Sequence, residues 1–136
     1  MEDIALLVLR LVLGGVFVAH GAQKLFGSFG GPGIEGTAGF HEQIGIRPAR
    51  PMAILAGLAE FAGGILVIAG FFTPLAALAL IVVMVVAILK VHLANGFFAA
   101  SGGYEFNLVL IAVAVALLLV GSGAYGVDAA LGVLWS

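Results

Sequence analysis

"GLAEFAGGILVIAGFFTPLAAL", residues 57–78, decides the fold. Two apolar runs meet across Phe71, Phe72 and Thr73, immediately before Pro74. Threonine caps a helix N-terminus and proline suits its first turn, so the second run starts a new helix where the first ends. So short a connection makes the two helices an antiparallel hairpin. Their length sets the solvent. A bilayer core of about 30 Å takes roughly 20 apolar residues in a helix, and stretches near 4–22, 51–70, 74–92 and 104–121 meet that requirement. The expectation is an all-α integral membrane four-helix bundle forming a single transmembrane domain over residues 1–136.

Composition agrees with a chain dissolved in lipid. Of its 136 residues, 63% are hydrophobic and 9% charged, and its mean hydropathy is +1.29. A soluble domain averages about 25% charged residues. The first run starts acidic and continues to about residue 22 without a small-residue cleavage pattern, which makes it a spanning helix rather than a removed signal peptide. Between the first two spans, the segment 34–45 mixes apolar and polar residues and is expected to lie in the interface as a short helix. The C-terminal tail reads as a further interfacial turn anchored by Trp135.

Several chemistries are excluded for this chain acting alone. It has no cysteine, so thiolate catalysis, disulfide exchange and iron–sulfur ligation would belong to a partner. Five lysines and arginines and a net charge of −2 provide no basic stripe for nucleic acid. Lys24, Arg47, Arg50 and Lys90 all fall on the side of loops one and three, which places those loops in the cytoplasm and both termini outside.

The remaining polar groups carry the functional question. Counting back ten residues from His20 puts Arg10 roughly 15 Å deep, and counting nine in from Pro51 puts Glu60 roughly 14 Å deep. Either charge alone in hydrocarbon costs on the order of 2.5 to 3.5 kcal/mol, so equal depth predicts an Arg10–Glu60 pair. Gly14 and Gly21 share Arg10's helix face, and Gly57 and Gly64 share that of Glu60, so both charges sit where backbones can approach closely. His20, Lys24, Lys90, His92 and Glu105 lie near one interface, with Asn107 deeper. Together they are expected to rim a cavity floored by the Arg10–Glu60 pair. In that arrangement Glu105 pairs with Lys24 or Lys90, and Phe97 and Phe98 cover the mouth.

Simpler roles compete for individual residues. Lys24, Lys90, His92 and Glu105 each suit a headgroup anchor, and His41 reads as a headgroup-facing loop residue. Lys90 and His92, two apart, point to opposite faces of a continuous helix, so only one reaches the cavity unless the helix ends there. His20 and His92 share a level that would allow a bis-histidine haem, but the neighbouring lysines oppose it, and no residue spacing resembles a metal-ligand set.

The segments "LLVLRLVLGGVFVAHGAQKLFG" (6–27), "GLAEFAGGILVIAGFFTPLAAL" (57–78), "KVHLANGFF" (90–98) and "GYEFNLVLI" (103–111) resemble the DoxX proteins. These are small four-helix membrane proteins of bacteria, named through an archaeal thiosulfate:quinone oxidoreductase. The resemblance spans residues 4 to 120 and implies a multi-pass protein of the bacterial cytoplasmic (inner) membrane. It further implies a redox-associated subunit linked to quinone, sulfur or thiol chemistry, or to oxidative stress. Its motif positions carry over onto Arg10, His20, Lys24, Glu60, Lys90, His92, Glu105 and Asn107.

The functional expectation is therefore a quinone-binding subunit of a membrane oxidoreductase, with no intrinsic cofactor. In this reading His20 or Lys24 hydrogen-bonds a quinone carbonyl, Glu60 exchanges protons as the best catalytic candidate, and Arg10 tunes Glu60. Membrane lipid and either a protein partner or further copies of the chain are the expected associates. A proton-coupled carrier or binder of a small anion or lipid-like ligand is the alternative, as is a purely structural subunit.

Overall fold

A computed structural model describes residues 1–133; Trp135 lies outside them. The described chain is helical, without strands: α1 (Glu2–Phe26), α2 (Gly33–Gln43), α3 (Ala49–Ala69), α4 (Thr73–Ala87), α5 (Glu105–Val120) and the short α6 (Val127–Leu131). The helical path of α4 continues to Asn95, so three described helices are long and apolar enough to cross a membrane. The fourth apolar helix, α5, has 16 residues, which gives about 24 Å of rise. Leu13, Phe17, Val67, Leu80, Leu110 and Leu117 form the buried core. Leu11, Leu58, Val109 and Leu119 point outward, as they must where the solvent is hydrocarbon.

The helices α1 and α3 run antiparallel, with backbone close to backbone. A Cβ at Gly14 would lie 2.6 Å from the Gly64 carbonyl oxygen, and one at Gly21 would lie 2.5 Å from the Phe61 nitrogen. Only glycine permits this approach, and van der Waals contact replaces a hydrophobic driving force that lipid does not supply. The same contact fixes the register, in which Leu25 stands opposite Gly57.

That register separates Arg10 from Glu60. The expected pair does not form, because Pro51 is not level with His20: α3 begins about eight residues, roughly 12 Å, beyond the level of Leu25. Arg10 instead reaches the opposite end of α3. Its Nε donates to the Val67 carbonyl at 3.0 Å, Nη2 to Ile68 at 2.8 Å and Nη1 to Ser122 at 3.1 Å. Two of these oxygens belong to the last turn of α3, whose carbonyls lack intrahelical partners and carry the negative end of the helix dipole. Arg10 is thus a buried C-terminal cap.

The adjoining turn is closed from α6. Asp128 accepts hydrogen bonds from the backbone nitrogens of Phe72 at 2.8 Å and Thr73 at 2.9 Å, and its own nitrogen donates to the Gly70 carbonyl at 2.8 Å. Asp128 therefore caps α4, where Thr73 was expected to do so. Phe72 holds the left-handed cap position and Thr73 is already helical, so the threonine hydroxyl is past the geometry that captures the first free N–H groups.

The interfacial segment expected at 34–45 is α2, Gly33–Gln43. It packs on α1 and α3, and ion pairs Arg50–Glu35 and Arg47–Glu42 tie it to the start of α3. Gly15, on the open side of α1, has nothing within 4 Å of an added Cβ. Gly21→Ala is therefore expected to lower the unfolding temperature in detergent markedly, while Gly15→Ala leaves it unchanged or slightly raised, as helix propensity favours alanine. Thermal scans of both variants check this.

Candidate ligand cavity

Because α2 lies across the loop-side ends of α1 and α3, a space of about 1160 Å³ remains between these helices, α4 and α5. His20, Lys24, Glu60, Lys90, His92 and Asn107 all line it, whereas Arg10 and Glu105 do not. Most of the remaining wall is apolar, including Phe17, Phe40, Phe106 and Leu110.

Glu60 is the buried charge of this cavity, with 1% of its surface exposed. Its partner is Lys24 rather than Arg10: Oε1 accepts a hydrogen bond from Lys24 Nζ at 2.8 Å. The register of α1 and α3 produces this pair, since Lys24 extends from the last turn of α1 toward the middle of α3. Glu60 Oε2 has no hydrogen-bond partner among the described residues. A buried acceptor left unmet costs about 1 to 3 kcal/mol, more when it is charged. The lysine side chain remains 28% exposed, so the ion pair runs from the protein interior to the open part of the cavity.

Lys90 and His92 both line the cavity, although a regular helix would have turned one of them away. The chain changes from α-helix to a π-turn over Ile88–His92 and then to a tight turn over Leu93–Asn95. This widening of the helix brings residues two apart into one wall; such π-turns concentrate at functional sites. His92 Nδ1 donates to the Gly102 carbonyl at 2.7 Å, leaving Nε2 as the ring's free acceptor.

Other expected roles need correction. Glu105 joins neither lysine: its Oε1 accepts from the Ala99 nitrogen at 2.9 Å, because loop three folds back over the start of α5 and presents a nearer donor. Phe97 and Phe98 do not cover the mouth. They stack edge to face with each other at 5.2 Å, and Phe97 does the same with Tyr104 at 5.5 Å. Phe106 takes the lining position beside His20, their ring centroids 6.5 Å apart. Asn107 donates to the Met84 sulfur at 3.4 Å, a weak acceptor.

A cavity residue that sequence reasoning missed is His41. It is buried on α2 and lines the cavity, and its Nδ1 has no partner among the described residues. All three histidines of the chain thus face one space. The available signal was the four-residue spacing of Thr37 and His41, which puts both on the buried face of α2.

Over residues 5–93 the chain matches the DoxX family profile. It belongs to the DoxX family. This DoxX protein is 31% identical over 126 residues to the Bacillus subtilis (strain 168) protein named "Putative oxidoreductase CatD", covering 93% of this chain and 86% of that one. It is also 32% identical over 127 residues to an uncharacterized protein of Haemophilus influenzae (strain ATCC 51907 / DSM 11121 / KW20 / Rd), covering 88% of this chain and 85% of the relative. No solved structure matches it significantly. Apolar helices and family together make it a multi-pass membrane protein.

Burial lowers the pKa of His41 from its ordinary 6.5, and the Lys24 charge lowers it further, against a smaller opposing effect of the Ala49 backbone. A histidine depressed in the folded state binds fewer protons than the unfolded chain, so its contribution to stability is complete above the ordinary value and falls as pH drops below it. Wild type should therefore lose thermal stability as pH falls below about 6.5, the ordinary histidine value. His41→Gln should flatten that dependence, and unfolding temperatures across the range provide the check.

Proposed function

We propose that the cavity binds the headgroup of a membrane quinone and that the chain acts as a subunit of a membrane redox assembly. The observation that carries this reading is the unmet Glu60 Oε2 beside the Lys24 ammonium in a mostly apolar wall. An apolar space with a few convergent polar groups is the usual form of a small-molecule site. A quinoid headgroup, oxidised or reduced, presents a matching outline: an apolar ring and tail for the wall and two ring oxygens for its polar groups. About 1160 Å³ accommodates the ring and the first part of a tail, with the rest lying in the bilayer.

In this reading Lys24 or His20 donates to one ring oxygen, and Glu60 Oε2 is the acceptor for a proton or hydrogen bond at the other. Lys24 takes the charge-compensating role first expected of Arg10. When bound, the quinone supplies two-electron redox chemistry; electrons reach it from a partner, since this chain has no cysteine to carry them. The name of the Bacillus relative is consistent with an oxidoreductase context. The basic residues Lys24, Arg47, Arg50 and Lys90 support a cytoplasmic orientation of loops one and three in the bacterial inner membrane.

Quinone co-purified in mild detergent, quantified by mass spectrometry, tests the assignment. Wild type should retain near-stoichiometric isoprenoid quinone and Glu60→Gln several-fold less. Background levels in both would overturn it. The cationic wall of Lys24 and Lys90 favours a second reading, a proton-coupled anion carrier, for which pH-gradient-dependent flux into proteoliposomes is the corresponding test.

A further inference from the structure

We infer that the headgroup held in this cavity is the reduced, hydroxyl-bearing hydroquinone rather than the quinone. The inference rests on the quinoid reading above and adds the chemical form of the ligand. Glu60 is ion-paired through Oε1 to an ammonium that can only donate, so its second oxygen is an acceptor as well. A quinone carbonyl is also an acceptor and would meet Oε2 with two lone pairs opposed. A hydroquinone O–H donates: with the Glu60 carboxyl turned so that its buried Oε2 meets the cavity, the hydroxyl completes the coordination of the carboxylate and keeps its proton, with no electron or proton transfer.

The donors of the cavity do not cancel this preference. Lys90 and His20 are exposed, so water or lipid headgroups satisfy them whether or not a carbonyl arrives. Lys24 already spends one N–H on Glu60 and keeps the rest in the open part of the cavity. A ring carbonyl on any of these exchanges one partner for another. Glu60 Oε2 has no such substitute, being on a side chain 2% exposed. Sites built around a buried group that needs a ligand hydroxyl discriminate strongly against analogues without one. The free Nδ1 of His41 belongs to a neutral ring that accepts or donates according to tautomer. It therefore sets no preference between the two forms.

The test measures binding of one short-tailed quinone to the detergent-solubilised full chain in its oxidised and, anaerobically, its reduced form. An alkylphenol and its methyl ether form a second, redox-inert pair. The expected result is that hydroquinone binds at least about ten-fold more tightly than quinone and the phenol more tightly than the ether, ten-fold being about 1.4 kcal/mol. In Glu60→Gln the hydroquinone-to-quinone ratio should fall toward one, because the amide offers both a donor and an acceptor. Equal or tighter binding of the oxidised form to wild type would overturn the inference while leaving the quinoid site intact. Failure of both forms to bind would remove the quinoid reading itself. If Glu60→Gln does not fold, the phenol and ether decide the matter on wild type alone: equal affinity for the two contradicts the proposal.

Discussion

The helices α1 and α3 meet at Gly14, Gly21 and Gly64, with space for no side chain between them. In a lipid solvent this close contact is what holds two apolar helices together, and it allows one register. The placement of Arg10 and of the Lys24–Glu60 pair follows from that register. At one end it delivers Arg10 to the last carbonyls of α3; toward the other it delivers Lys24 to Glu60. Sliding α3 by one turn, about 5.4 Å, would break both arrangements at once, so the glycine contact and the two charges specify the same alignment.

The two ends differ in how completely their charges are met. Around Arg10, three carbonyls accept the guanidinium, and Asp128 caps the next helix. Nothing there calls for a ligand, and the role is architectural: it joins α1, the α3–α4 turn and α6. Around Glu60 one carboxylate oxygen is paired and the other is not, on a buried side chain that lines a mostly apolar cavity. A low-dielectric surrounding makes such a gap expensive, and it lies where five helices leave a space open.

Much of the architecture was legible in the sequence because it depends on local patterns. The break at Phe71–Thr73 marked the hairpin, and the composition of 34–45 marked the interfacial helix. Depth, helix face and the family resemblance had grouped His20, Lys24, Glu60, Lys90, His92 and Asn107, and all six line the cavity. What failed depended on relations between helices. The Arg10–Glu60 pair required knowing how far α3 extends past α1, which no single helix encodes. The cap from Asp128 crosses 55 residues to Thr73, and the shared wall of Lys90 and His92 depends on a π-turn that departs from the regular period. His41 looked peripheral because its loop is polar, yet α2 turns that residue inward.

Glu60 is paired through Oε1 to Lys24 Nζ and has no partner at Oε2 among the described residues, where a ligand donor is proposed to bind. Infrared difference spectroscopy of the purified protein, with Glu60→Gln to assign the band, measures this directly. The account predicts a carboxylate band at neutral pH that is lost in the variant and shifts when hydroquinone, but not quinone, is added. A protonated-acid carbonyl band at Glu60, or a carboxylate band unmoved by hydroquinone, would contradict it.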